Sequence, residues 1–474
     1  MIEMRLADVA AVTGGRVHRA SGDELVTAVE FDSRSVKPGA LFLTLPGARV
    51  DGHDFVPAAL AAGATGVLTA RELDAPGVIV PRGPRAADTY LGAADPDGSG
   101  AGVLAALAAL ARHQVASLPG LRTVGITGSA GKTSTKDLVA AVAAARGPVV
   151  APPGSFNTEL GLPWTALRAD ASTRTLVLEY SARRTGHIAG LARAVPPDIA
   201  VVINVGTAHL GEFGSVAGIA QAKGELVEAL GPDGVAVLNA DDPHVIAMAE
   251  RTAGRIVRYG RGPETEVRAV DVRLETGRAR FTLVTPAGAA PVALRLVGEH
   301  HVANALAAAA VGLELGVDVA GIAERLSAAT AAKWRMEVGE RPDGVTVVND
   351  AYNANPDSMR AGLRALTALA EGRRTWAVLG PMGELGEAVE AAYAEVAATA
   401  RELHVAELVA VGAPGYAAGF PGAHQVPDAA AAVALLRGAL QPGDVVLVKG
   451  SRAAGMERVA AGLLAEQAPG EGAA

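Results

Sequence analysis

The sequence predicts an α/β protein built from three units, and three observations carry that expectation. Strands of apolar residues alternate with Ala-rich helical stretches from about residue 120 onward, the signature of parallel sheets. Half of the residues are hydrophobic but only 3% are aromatic, with 57 glycines, a composition that suits a packed small-residue core and not a disordered chain. At 474 residues the chain also exceeds what a single core accommodates. The pattern divides it into units at 1–98, 99–331 and 332–474.

Composition excludes several classes of function. The formal net charge is −8 and the 42 Lys and Arg residues are scattered, so no basic footprint for nucleic acid exists. With no cysteine, disulfides, thiolate nucleophiles and cysteine-ligated metals are ruled out, and any metal must use oxygen or imidazole ligands. The apolar runs near 103–111 and 305–313 are too short to span a bilayer. The first five residues open a charged amphipathic segment unlike a signal peptide, so a soluble, cytoplasmic protein is expected.

In the first unit, a polar loop at 30–39 leads to a strand at 40–45, and a second polar loop at 46–55 leads to an Ala-rich helix. Ser33, Arg34 and Lys37 in one loop and Gly47, Asp51 and His53 in the other flank that strand. Such loops can hold a phosphorylated ligand through charge-assisted bonds, or be two ordinary turns. No G-x-G-x-x-G opens the unit, which argues against a dinucleotide fold there. Residues 94–100 read as a linker. Val103, Leu104, Leu107, Leu110 and Ala111 then share one helical face.

The stretch that organises the chain runs from Gly125 to Thr135. An apolar strand at 121–124 precedes it and helical spacing follows over 136–142. A strand, a glycine turn and a helix opening on Gly131-Lys132-Thr133 make a phosphate cradle. Backbone N–H groups attract the anion, Lys132 adds a point charge, and the Thr133 hydroxyl is a ligand for Mg²⁺. The general pattern G-x-x-x-x-G-K-[ST] requires glycine where this chain has Ile126. A tight strand-to-helix turn with a solvated lysine is therefore the rival reading.

Further strands at 175–178, 198–203 and 235–238 end on Glu179, on residues 204–209 with His209, and on 239–242. Open α/β sheets bind ligands at such carboxyl ends, so Glu179 and His209 are candidates beside the loop. Between 255 and 296 the pattern changes to short alternating strands, 267–274, 279–284 and 292–296, read as an antiparallel insertion. An Ala-rich helix starts after Gly298, and Asn304 on it can face the same end. The adjacent His300 and His301 point about 100° apart on a helix and are not a chelating pair. The third unit has strands at 346–348, 375–379, 407–411 and 445–448, whose polar ends include 349–356, 380–384 and 449–452. None leads into a glycine-rich phosphate loop, so this unit is expected to bring a second substrate to the nucleotide. The tail at 468–474 is expected to fray.

With the loop, Glu179, His209, Asn304 and the Asp350 segment in view, the chain resembles the Mur ligases over essentially its whole length. These are ATP-dependent amide-bond-forming enzymes of peptidoglycan precursor synthesis. The resemblance implies a muramoyl-nucleotide domain, a central ATP domain on a P-loop-type, mostly parallel sheet, and a C-terminal Rossmann-like ligase domain. The family's loop has a shorter T-G-x-x-G-K-T form, here Thr127, Gly128, Ser129, Ala130, Gly131, Lys132 and Thr133, with Ser134 next. That form removes the objection at Ile126.

By this resemblance Lys132 contacts the ATP phosphates, Thr133 and Glu179 hold Mg²⁺, and His209 serves a second Mg²⁺. Lys223 stands where the family carries a carbamylated lysine for that second metal; without the family it reads as a solvated helix lysine. Lys132, Glu179, His209 and Lys223 are then the catalytic set. Asn304, Arg335 and Asp350 stand where the family contacts the adenine, the γ-phosphate and the ribose.

Within the family, the chain resembles the branch that joins D-alanyl-D-alanine to UDP-N-acetylmuramoyl-tripeptide through an acyl phosphate. The loops carrying Ser33, Arg34, Lys37, Gly47, Asp51 and His53 are similar to its uridine-nucleotide domain. Residues 154–163, with Asn157, Thr158 and Glu159, resemble its substrate loop. Residues 350–356, with Tyr352, Asn353 and Asn355, read D-A-Y-N-A-N-P where the amino-acid-adding branch shows D-Y-A-H-T-P. Two departures stand out: Tyr180-Ser181 where Met-Gly is usual, and Pro381 where Asp is usual. The expected partners are the two substrates, with a monomeric chain and neither nucleic acid nor membrane. An amino-acid-adding ligase of the same family, and a P-loop ATPase without ligase activity, are the alternatives.

Overall fold

A computed structural model describes residues 1–84, 90–206, 210–383, 385 and 389–465. Three principal sheets organise them, one in each stretch of chain expected to form a unit. The first sheet has the order Arg16–His18, Gly77–Ile79, Gly66–Thr69, Ala40–Leu43 and Ala28–Glu30. All but its first pairing are parallel. Its inner strand Ala40–Leu43 is buried at every position, as a parallel strand covered on both faces must be.

Helix Ser99–Ala116 lies between this sheet and the next. It packs on helix Leu6–Thr13 on one side and on helices Gly161–Leu167 and His187–Ala194 on the other. One apolar cluster, including Leu6, Leu41, Leu107, Leu110, Leu176 and Tyr180, runs through both units. Residues 94–100, read as a linker, instead cap and open this helix, whose first position is Ser99. Gly98 takes a left-handed φ of 73°, and the Asp95 carboxylate accepts from the backbone of Gly100 at 2.9 Å and Ala101 at 2.7 Å. The same small and polar residues serve linkers and helix starts, which is why composition did not separate them.

The central sheet has nine strands in the order Gly288–Val297, Arg278–Thr285, Val267–Glu275, Arg255–Gly260, Val235–Asn239, Ile199–Val202, Arg122–Thr127, Thr175–Glu179, Val149–Val150. The stretch expected as an antiparallel insertion is instead one edge of this sheet. Arg255–Gly260 pairs in parallel with Val235–Asn239, and Val267–Glu275 continues in parallel from it. Only the last two pairings are antiparallel. Their alternation reflects one covered face: Ala279, Phe281 and Leu283 join the core that holds Val124 and Ile126.

Strand Arg122–Thr127 lies between Thr175–Glu179 and Ile199–Val202, all parallel. Their carboxyl ends therefore deliver the nucleotide loop, Glu179 and Asn204 to one place. The third sheet has the order Glu337–Glu340, Thr346–Asp350, Val445–Lys449, Thr375–Leu379, Glu407–Val411 and His424–Val426, parallel except for the first pairing. Its register sets Asp350 beside Lys449. Among the described residues no helix is long and apolar enough to cross a membrane.

Candidate active site

Ile126 is a fully buried strand residue paired with Glu179 and Val201. The strand runs to Thr127, so the loop begins at Gly128 and a glycine at 126 would have no purpose. Asn204, at the end of the neighbouring strand, braces the loop. Its Oδ1 accepts from Ala130 N at 3.0 Å, its Nδ2 donates to Ala130 O at 3.1 Å, and its carbonyl accepts from Ser129 N at 3.2 Å. The Ser129 hydroxyl in turn accepts from Gly206 N at 2.9 Å. Gly131 caps helix Lys132–Ala143 with φ 84°, and a Cβ there would lie 2.9 Å from Asn304 Oδ1. Lys132 Nζ folds back to donate to Gly128 O at 2.6 Å. A glycine turn, a helix N-terminus and an ammonium thus converge on one concave turn, the physical requirement for binding phosphate.

Glu179 closes one side. It is fully buried. Its Oε2 accepts from Asn157 at 3.3 Å, while Oε1 has no hydrogen-bond partner among the described residues. Burial pushes its pKa up, and the charges of Lys132, Lys136 and Arg335 work against that shift. A buried carboxylate oxygen without a partner, next to the Thr133 hydroxyl and a phosphate cradle, is a hard-oxygen donor set that fits Mg²⁺. His209 lies outside the described residues, and among those described no group of three or more His, Asp or Glu is gathered.

Lys223, on helix Val216–Glu228, is not the solvated lysine its position suggested. It is buried, and burial together with the Lys132 charge holds its pKa well below the usual lysine value. Two residues on, Glu225 accepts from Gly186 N at 2.5 Å and Ala189 N at 2.9 Å, in the first turn of helix His187–Ala194. That bond fixes the helix carrying Lys223, and sequence alone did not point to it.

The third unit reaches the loop through Arg335. Its guanidinium donates to the Thr133 hydroxyl at 3.1 Å and stacks 4.1 Å from the Tyr352 ring. The Tyr352 hydroxyl contacts Ser155 Oγ. Asp350 is engaged on both oxygens, by Met336 N at 3.2 Å and by the buried Lys449 ammonium at 2.5 Å. Lys449 also donates to Asn353 O at 3.0 Å. Asn355 caps helix Pro356–Ala370, accepting from Ser358 N at 2.9 Å. Asn304 sits behind Gly131 and contacts His301 at 3.3 Å.

A cavity of about 710 Å³ opens in the first unit, within the size range of small-molecule sites. Ser33, Arg34 and Gly47 line it with Phe31, Phe42, Phe55 and Leu160. Lys37, Asp51 and His53 do not. Asp51 is held by His53 Nδ1 at 2.5 Å and by Arg71 at 3.0 Å, and Arg71 also donates to Ser99 at 3.2 Å.

The rings of Phe31, Phe156 and Trp164 lie 5.1–6.0 Å apart, so the loop at 154–163 docks on the cavity wall. Thr158 O accepts from Leu162 N at 3.0 Å, and Glu159 lies near Tyr90, whose phenol is pushed up to about 12 by burial and that carboxylate. Two of the departures, Tyr180 and Ser181, have local explanations. Tyr180 is buried with its hydroxyl on Val195 O at 2.6 Å, in space left by Gly125. Ser181 donates to Asn157, the residue bonded to Glu179. Pro381 O accepts from Ser451 N at 2.7 Å.

Known protein families match the chain in three successive segments, the first of which runs past residue 98. The Mur ligase family catalytic domain matches residues 25–114, the Mur ligase middle domain 126–312, and the Mur ligase glutamate ligase domain 334–452. A UDP-N-acetylmuramoyl-tripeptide--D-alanyl-D-alanine ligase of Mycobacterium tuberculosis is 51% identical, covering 99% of this chain and 99% of that protein. A crystal structure of MurF from Acinetobacter baumannii superposes with a TM-score of 0.86 at 30% identity, over 98% of this chain and 99% of that one. MurF ligase of Thermotoga maritima in complex with ADP gives 0.77 at 28% identity, over 92% and 96%.

Proposed function

This chain belongs to the Mur ligase family, and on that premise we propose that it joins D-alanyl-D-alanine to UDP-N-acetylmuramoyl-tripeptide with cleavage of ATP. It is an ATP-dependent amide ligase of peptidoglycan synthesis. One observation supports the substrate assignment most directly. The nucleotide loop, the loop at 154–163 and the loop at 350–356 meet through Thr133, Arg335, Tyr352 and Ser155.

The residues suit the chemistry. A peptide carboxylate is a poor electrophile; it attacks the γ-phosphorus of ATP with loss of ADP, and the amine then attacks the acyl-phosphate carbonyl carbon and expels phosphate. Lys132 and Arg335 offset the repulsion between that carboxylate and the triphosphate. Thr133 and Glu179 would hold Mg²⁺, with His209 and a carbamylated Lys223 serving a second ion; bound there, the metal supplies charge neutralisation at the phosphates. The lowered pKa of Lys223 favours the neutral amine, the form that reacts with CO₂. The first-unit cavity takes the uridine nucleotide, and the loop at 154–163 leads from its wall toward Glu179. Asn304 and Asp350 are assigned to the nucleoside end of ATP. The dipeptide amine enters from the side of Tyr352, Asn353 and Asn355, and the enzyme contributes position and charge without a covalent side-chain intermediate. Both substrates are soluble, so the reaction belongs in the cytoplasm, with the chain acting as a monomer.

Phosphate release tests the proposal. With ATP and Mg²⁺, release is expected only when UDP-N-acetylmuramoyl-tripeptide and D-alanyl-D-alanine are both present, with a pentapeptide product in the mass spectrum. Turnover of ATP without either amide substrate would mark a plain ATPase. Productive use of a single amino acid would mark the amino-acid-adding branch.

A further inference from the structure

Arg335 is presented on a strained turn. The residues on either side of it, Trp334 and Met336, have φ of 62° and 53°, a left-handed conformation rare for bulky side chains. The third unit holds that turn in place. Tyr352 N donates to Trp334 O at 3.2 Å, and the Arg452 guanidinium lies 4.3 Å from the Trp334 ring. Asp350, fixed by Lys449, accepts from Met336 N at 3.2 Å. The Arg335 guanidinium itself is held by the Thr133 hydroxyl and by stacking on Tyr352, while its buried Nε has no partner among the described residues.

We propose that Tyr352 is a positioning residue for Arg335. Its ring aims the guanidinium at the site of phosphoryl transfer, and its hydroxyl, on Ser155, ties that aim to the loop expected to carry the peptide substrate. The segment that distinguishes the acceptor thus also sets the charge at the nucleotide loop. The proposal rests on the reading that Arg335 faces the transferred phosphate. A stacked cation keeps its orientation without losing its donors, so a flat aromatic ring suits the task and an aliphatic side chain does not.

The test uses the full chain with Tyr352→Leu, Tyr352→Phe, Arg335→Ala and the Tyr352→Leu/Arg335→Ala double variant. Steady-state kinetics are paired with calorimetric binding of a non-hydrolysable ATP analogue in Mg²⁺. Tyr352→Leu is expected to lower kcat at least tenfold and weaken the analogue at least threefold, whatever its effect on the KM for D-alanyl-D-alanine. Tyr352→Phe, which keeps the ring, should recover most of the kcat loss. The double variant should be no worse than Arg335→Ala. If Tyr352→Leu fails to fold, Tyr352→Met must show the same losses.

A tenfold rise in the dipeptide KM with kcat and analogue affinity unchanged would overturn the proposal, because Tyr352 would then act on the acceptor. Losses that multiply in the double variant would overturn it too. An Arg335→Ala variant with normal kcat and normal analogue affinity would refute the underlying reading of Arg335, and the proposal with it.

Discussion

Lys132 and Lys223 show how burial divides two similar side chains between tasks. Lys132 stays tethered to Gly128 O at the mouth of the cradle, where it meets an anion. Lys132→Ala should reduce ATP-dependent ligation by about a hundredfold or more while leaving the circular dichroism spectrum unchanged, as phosphate release will show. Lys223 faces no carboxylate among the partners that shift its pKa; burial comes first and the Lys132 charge second. Lys223→Ala should lose most activity and regain part of it with added short carboxylates, which stand in for the carbamate.

Stability offers a separate check in metal-free, CO₂-depleted buffer. Between its depressed folded pKa and the ordinary value of 10.5, Lys223 binds a proton only in the unfolded chain. Its contribution to stability therefore rises with pH across that interval and is least favourable below it. Lys223→Met should be more stable than the parent at pH 7, and the gain should shrink toward pH 10 in urea titrations. Lys132, Thr133 and Glu179 were legible in the sequence because a local pattern or a strand end marks them. Asn204 and Lys449 were placed at strand ends too, but their partners, and Arg71 itself, were not legible, because these bonds join residues 74, 99 and 20–28 positions apart and leave no local pattern.

Among whole elements, the buried parallel strands were the easiest to read. The strands Thr375–Leu379 and Glu407–Val411 have the bounds expected, because continuous apolar runs between polar ends have few other uses. The start of helix Ser99–Ala116 was missed because its cap, Asp95, lies four residues before the first helical position and the run between them looks like a linker. Since that carboxylate is 4% exposed and holds two amides, Asp95→Ala should cost about 1–2 kcal/mol in chemical denaturation. An effect near zero would return the segment to linker status. The edge of the central sheet was misread for a different reason. Its strands show alternation because one face is wet, and alternation says nothing about which sheet a strand joins.

The whole molecule depends on how three sheets meet, and composition hints only that they exist. A hairpin at the edge of the central sheet touches the third unit: Thr276 N donates to Glu371 at 3.1 Å, and Gly277, with φ 68°, lies against the backbone of Leu369. A Cβ at Gly277 would approach Leu369 Cα at 3.0 Å, so a β-branched residue there pushes the two units apart. Gly277→Val should raise the KM for ATP severalfold while calorimetric affinity for UDP-N-acetylmuramoyl-tripeptide, a first-unit ligand, stays within twofold. A loss shared equally by both ligands would show general unfolding instead. Bringing three bound groups together by moving units is also the usual means by which such sites exclude water.

The arrangement has a spectroscopic consequence. The chain has three tryptophans, and the fold has spread them over its parts. Trp164 sits in the aromatic contact between the first unit and the loop at 154–163. Trp334 lies between the cations of Lys333 and Arg452 on the turn that presents Arg335. Trp376 is buried in the third sheet, its indole N–H on Asp444 at 2.9 Å. Indole emission responds to nearby charge and to water, so the unlabelled protein carries one optical probe at each junction and one reference inside a core. Three single-tryptophan versions would resolve, in time, which junction moves first when each substrate arrives.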